Sequence, residues 1–222
     1  MKLLMLLALG SVLMSCNVTV ITTEKPTAFS GPIVDWPGGN NQVVFSIYAK
    51  NQYKYVPLAF SKVNSDKSFF IVDSAKSDLD PYLVVAQGSY PVIGLEKCYG
   101  NGENASSSTA KIQDGQFFVF DNTIPNGYLV LSTYDFNGVP AVGDSYLELV
   151  YSSENFSMSG NFYGCLNNST VSVQESLKQG WNVRIISVAA MSFKTVTSWN
   201  IRSGTVPDKA TWRYYTSFKK PN

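Results

Sequence analysis

Thr170-Val171-Ser172-Val173-Gln174-Glu175-Ser176-Leu177 alternates apolar and polar side chains from end to end. Lys178-Gln179-Gly180 interrupts the pattern, and Trp181-Asn182-Val183-Arg184-Ile185-Ile186-Ser187-Val188-Ala189-Ala190 follows. A period of two marks a half-buried strand, because successive side chains leave a strand on opposite faces. A helix would need apolar residues three and four apart. The two runs predict a β-hairpin, with Gly180 supplying the positive φ of a tight turn. Trp181 is read as an anchor in the core; exposure as a ligand platform is the rival.

Outward from that pair the same texture recurs. Strands are expected at 42–49, 68–72, 82–86, 109–112, 116–120, 128–133, 146–152, 156–162, 193–199 and 211–217. Gly- and Asn-bearing turns separate them, as at Pro37-Gly38-Gly39-Asn40, Asn126-Gly127 and Asn137-Gly138. Many short strands predict an all-β fold, an antiparallel β-sandwich of the immunoglobulin-like kind over residues 29–222. Two packed β-subdomains meeting near 138–145 are the alternative within that class. Gly100 to Ser108 has no apolar residue except Ala105 and is expected to be a loop.

The chain has 222 residues, 45% apolar and 15% charged, with a formal net charge of +1 and no histidine. Histidine triads, histidine metal sites and histidine proton shuttles are therefore excluded. A nearly neutral chain offers no footprint for nucleic acid.

The first residues read as an address. Lys2 precedes an apolar run, Leu3 to Met14, that is too short for a bilayer core, which needs about 20 apolar residues. Leu13-Met14-Ser15-Cys16 resembles the cut site of a bacterial lipoprotein signal, although Met14 is larger than usual there. The resemblance implies removal of residues 1–15 and acylation of Cys16. Several acyl chains would hold the protein firmly to a membrane. An ordinary signal-peptidase cut is the rival. Residues 16–28, Thr-rich with Pro26, are read as a tether, or else as a strand, since Val18, Val20 and Thr22 alternate.

With Cys16 set aside, Cys98 and Cys165 remain, in a compartment that permits disulfides. A bridge between them is expected, spanning 67 residues and worth about 4 kcal/mol in the loop-entropy model. Two unpaired buried thiols are the alternative. Neither cysteine has a Cys-x-x-Cys partner, so zinc and redox roles lack support.

Asp66-Lys67-Ser68-Phe69-Phe70-Ile71-Val72-Asp73 is echoed by Asp114-Gly115-Gln116-Phe117-Phe118-Val119-Phe120-Asp121. Each precedes a strand opening with tyrosine, at Tyr82 and Tyr128, which suggests a repeated hairpin with a turn at the aspartate. The second copy, continued by Pro125-Asn126-Gly127-Tyr128-Leu129-Val130, resembles the transthyretin-like, carboxypeptidase-regulatory-like β-sandwich. The first copy departs from that motif at Lys67 and at Asp80-Pro81-Tyr82. The wider layout, with Leu177-Lys178-Gln179-Gly180-Trp181-Asn182, is similar to bacterial lipoproteins of this build. The resemblance implies a fold and no activity.

Candidate chemistry is sparse. Asp73, Asp78 and Asp80 could aim carboxylates at calcium, but the full Asp-x-Asp-x-Asp-Gly loop is missing. Serine-nucleophile motifs are absent, and paired carboxylates for glycoside hydrolysis would meet only in space. Tyr48, Tyr53 and Tyr55, and Trp212, Tyr214 and Tyr215, are the best candidates for rings stacking on a ligand; cross-strand packing is the alternative. No cofactor and no catalytic residue are expected. The expected role is that of a lipid-anchored, extracytoplasmic protein of the bacterial cell envelope, structural or interacting with another envelope protein. A glycan- or ligand-binding module is the alternative, and an envelope hydrolase working through carboxylates comes third.

Overall fold

A computed structural model of the chain describes residues 28–39, 41–49, 54–72, 79–86, 98–121, 124–165 and 168–216. Cys16, the signal and nearly all of the tether lie outside the described residues, as do Tyr53, Asp73 and Asp78. The fold is all-β. Its strands are β1 (Ala28–Val34), β2 (Asn41–Ala49), β3 (Lys54–Lys62), β4 (Ser68–Val72), β5 (Val84–Val85), β6 (Tyr99–Ala105) and β7 (Lys111–Asp121). They continue as β8 (Ile124–Ser132), β9 (Ser145–Ser152), β10 (Phe156–Tyr163), β11 (Thr170–Leu177), β12 (Gly180–Ser192), β13 (Thr195–Ser203) and β14 (Thr211–Tyr215). One 3-10 turn, Asp80–Tyr82, precedes β5.

The strands join in one large mixed sheet that is not closed into a barrel, in the order β4-β1-β14-β8-β7-β9-β12-β13-β11-β10-β6. β2 and β5 add to the other edge of β7, and β3 adds to β2. Pairing is antiparallel except at β1–β14 and β11–β13. β3 and β4 approach each other, with Phe70 N–H donating to Ser61 Oγ at 3.2 Å, but no ladder joins them.

Two large cores form on opposite faces of the central strands, beside a small cluster of Ile47, Leu79 and Tyr151. On β9, Tyr146 and Val150 face one core and Leu149 the other. Val130 and Leu129 divide in the same way on β8, as do Ile112 and Phe117 on β7. A strand covered on both faces has no solvent side, so β9 is buried at every position but Glu148, which is half-buried. The first core holds Phe156, Met158, Phe162, Val171, Val173 and Ile201 from the β10–β13 arm. The second is aromatic: the Phe45 ring lies 4.7 Å from Phe117 and 4.9 Å from Trp181, and Phe117 lies 4.8 Å from Trp212. Trp181 is thus the core anchor expected of it.

Four expectations are corrected. β11 and β12 are not a hairpin: β13 lies between them, parallel to β11 and antiparallel to β12. The turn itself exists, with Gly180 at φ 99° and Asn182 bonding Lys178 N–H at 2.8 Å and Lys178 C=O at 2.7 Å. Gly100 to Ser108 is not all loop, because β6 forms a ladder with β10. The aspartate echo does not repeat a hairpin. Asp66 makes a turn, accepting from Ser68 N–H at 2.9 Å, whereas Asp114 sits inside β7. β7 and β8 pair as expected, but β4 pairs with β1 and β5 with β7. Asn126-Gly127 likewise lies within β8 rather than at a turn.

Cys98 and Cys165 form the expected disulfide, their Cα atoms 4.5 Å apart. It fastens the entry of β6 to the chain just past β10.

Candidate functional site: a forked sheet over a buried guanidinium

The sheet forks at β7. Phe117 to Asp121 pair with β8, and Ile112 to Gly115 pair with β9. Beyond Leu129, β8 leaves β7; before Leu149, β9 has not yet joined it. There the two pair with each other at Leu131↔Leu147 and Ser132↔Tyr146. Gln116 sits where the partner of β7 changes. A cavity of about 380 Å³ opens in the fork. Phe117, Leu129, Leu131, Leu149 and Trp212 line it from the second-core side. Tyr55, Tyr128, Tyr146, Asp114 and Glu148 complete the wall.

Beside that wall lies Arg184, whose side chain is wholly buried. It points from β12 toward the first core, as its neighbour Ile186 does. Its Nε donates to Glu175 Oε1 at 2.8 Å and its Nη2 to Glu175 Oε2 at 3.3 Å. Nη1 donates to Asp114 Oδ1 at 3.0 Å and to Glu148 Oε2 at 3.3 Å. Four strands converge to make this cluster. Arg184 and Glu148 are direct cross-strand partners on β12 and β9. Asp114 comes from β7, and Glu175 from the buried face of β11. A guanidinium can serve several carboxylates because its donors form a rigid planar fork. Burial works against its charge, but Glu175, Asp114 and Glu148 outweigh that, and its pKa rises above the ordinary arginine value. Tyr146, two residues before Glu148, is held neutral well above the ordinary tyrosine value, first by burial and then by Glu148.

The sequence-predicted candidates are distributed unevenly around this site. Tyr48 and Tyr55 face each other across β2 and β3 with rings 5.1 Å apart, and Tyr55 meets Phe118 at 4.4 Å. Phe118 continues the row to Tyr128 at 5.0 Å. Tyr48 and Tyr55 are 36% and 45% exposed, so this row leads from the surface to the fork. Burial raises the Tyr55 pKa, with Tyr128 and Tyr48 adding to it.

The C-terminal trio packs inward instead. Trp212 belongs to the second core, donates Nε1–H to Ser30 C=O at 3.1 Å and reaches the fork as wall. Tyr214 donates its hydroxyl to Asn126 C=O at 2.9 Å, and Tyr215 stacks on Phe136 at 5.2 Å. Neither Tyr214 nor Tyr215 offers an exposed stacking face. Asp80, in the 3-10 turn, is the one described member of the calcium candidates. Among the described residues, no group of three or more His, Cys, Asp or Glu could hold a metal ion.

Comparison with protein-family models, curated proteins and solved structures finds no match to this chain. The fork and its buried ion cluster are therefore read from their own chemistry. Sequence reasoning missed both. The one available signal was a charge at an inward position of an alternating strand, Glu175 between Val173 and Leu177, and Arg184 beside Ile185 and Ile186.

Proposed function

We propose that this chain is an exported protein, tethered to the cell envelope by lipid on Cys16, whose β-sandwich serves as a ligand-binding module. The observation that carries the binding role is the cavity in the fork. Ligand sites are typically concave and mostly apolar, with a few polar groups placed by buried structure. The fork has these attributes: aromatic and aliphatic walls, and Glu148 and Asp114 held in place by a buried arginine. The row Tyr48–Tyr55–Phe118–Tyr128 supplies an aromatic approach. The anchor rests on Leu13-Met14-Ser15-Cys16.

A second reading, docking of another envelope protein, draws on Phe60 and Phe70, 63% and 58% exposed on β3 and β4. A hydrolase reading draws less support. Asp114 and Glu148 share the same guanidinium nitrogen, so the arginine occupies the space where paired-carboxylate chemistry needs a scissile bond.

A fragment library screened by ligand-observed NMR tests the binding role, with Leu131→Trp as a plug for the fork. Hits on the wild type that vanish in a folded Leu131→Trp protein are expected. A library with no hits, or hits indifferent to the plug, overturns it. For the anchor, membrane fractionation should depend on Cys16, and a Cys16→Ser protein should leave the membrane fraction. A wild type found wholly in the soluble fraction overturns the anchor.

A further inference from the structure

The cavity is aromatic along much of its wall and acidic at one end. Tyr55, Phe117, Tyr128 and Trp212 bring rings to it, and Glu148 brings a carboxylate. That carboxylate is set firmly: its side chain is 15% exposed, and Oε2 accepts from Arg184 Nη1 at 3.3 Å. Arg184 divides its donors. Nε and Nη2 go to Glu175, and Nη1 serves Asp114 at 3.0 Å as well as Glu148. A carboxylate has about four lone-pair sites, and one shared N–H group at that distance does not saturate them. The bond uses Oε2, and among the described residues no hydrogen bond to Oε1 is formed.

We propose that the fork binds an organic ammonium ion, with its cationic head against Glu148 and its apolar body against the aromatic wall. The proposal rests on the fork's being a ligand site. A cation near aromatic faces gains from the ring quadrupole, and more so when desolvated. An anion would meet a cluster in which three carboxylates surround one guanidinium. A bare metal ion is a poorer fit, because it needs several close hard ligands and no such group occurs among the described residues. An organic cation needs one carboxylate, a ring wall and volume.

Isothermal titration of the purified protein with benzyltrimethylammonium, benzyl alcohol and phenylacetate tests this. The ammonium should bind about tenfold more tightly than the alcohol, and phenylacetate should be weakest. Glu148→Gln keeps the shape and should bring the ammonium down to the alcohol's affinity while leaving the alcohol unchanged. Tyr55→Leu changes a half-exposed ring, spares the buried ion cluster, and should weaken the ammonium more than the alcohol. Equal binding of ammonium and alcohol, both lost in Leu131→Trp, would sink the charge preference and leave the ligand site standing. Ammonium binding that survives Leu131→Trp would place the cation elsewhere and overturn the proposal. No binding by any of the three probes would overturn the proposal, and the fragment screen would then decide whether the ligand site stands.

Discussion

Arg184 shows how much a single side chain can commit. Its guanidinium is wholly buried, and so is Glu175, which it holds through two hydrogen bonds. Burying such a pair gives little net stability, but removing one partner strands the other charge without water. Arg184→Met should therefore cost about 3–5 kcal/mol, read as a fall in the urea midpoint. Arg184→Met with Glu175→Gln should recover part of that, and a double mutant no better than the single would deny the coupling. The tyrosines give a second prediction. Burial raises the pKa of Tyr146, Tyr134 and Tyr215 above the ordinary value of 10.0. They stay neutral in the native state while unfolded tyrosines ionise, so unfolding in alkali releases protons. The stability they supply is complete below pH 10.0 and falls as pH rises from there through the native values. Tyrosinate absorbance should show Tyr146 and Tyr134 ionising with unfolding, and Tyr146→Phe should make stability fall less steeply above pH 10.0. Little of this is legible in the sequence: Glu175 at an inward position between Val173 and Leu177 hints at a buried charge, but nothing there names its partner. The cluster's members lie on four strands whose neighbours a linear pattern does not name.

At the scale of elements, strand identity was legible and strand pairing was not. Alternation located β4 and β11 to the residue and most others to within a few positions, because it records which face is buried. It carries no information about the neighbouring strand, so β13 could slip between β11 and β12 unannounced. β6 escaped notice because its Gly-Asn-Gly-Glu backbone pairs without an apolar face to advertise it. β1 and β3 are absent from the expected strands, and the expected strands 109–112 and 116–120 are the single strand β7. Gly115 tests the fork at this scale. A Cβ there would lie 2.5 Å from Phe45 Cε2 and 3.0 Å from Trp181 Cζ3. Both rings belong to the packed second core, and Phe45 is fully buried. Gly115→Ala should therefore destabilise by about 1–3 kcal/mol through overpacking. A thermal midpoint equal to wild type would mean that the two rings have room to yield.

Among the described residues one continuous sheet serves two large cores, and the disulfide belongs to only one of them. Cys165 is buried in the first core and Cys98 packs against it, while the aromatic second core takes no part. The bridge closes 67 residues, and its loss should cost about 2–5 kcal/mol. The loss should not fall evenly. β6 is the last strand of its arm and pairs with β10 alone. Without Cys98–Cys165 its glycine-rich backbone loses its covalent tie and relies on that ladder and on Ala105 against the first core. Amide exchange in a Cys98→Ser/Cys165→Ser protein should therefore quicken first in β6 and in the facing residues of β10. The strands around Phe45, Phe117 and Trp212 should keep their protection, because ring packing rather than the bridge holds them. Equal loss in both arms would show instead that β7, β8, β9 and β12, shared between the cores, make the sheet open as a single cooperative unit. In that case the fork, which lies where those shared strands diverge, would lose its shape together with the bridge, and ligand affinity would fall on reduction.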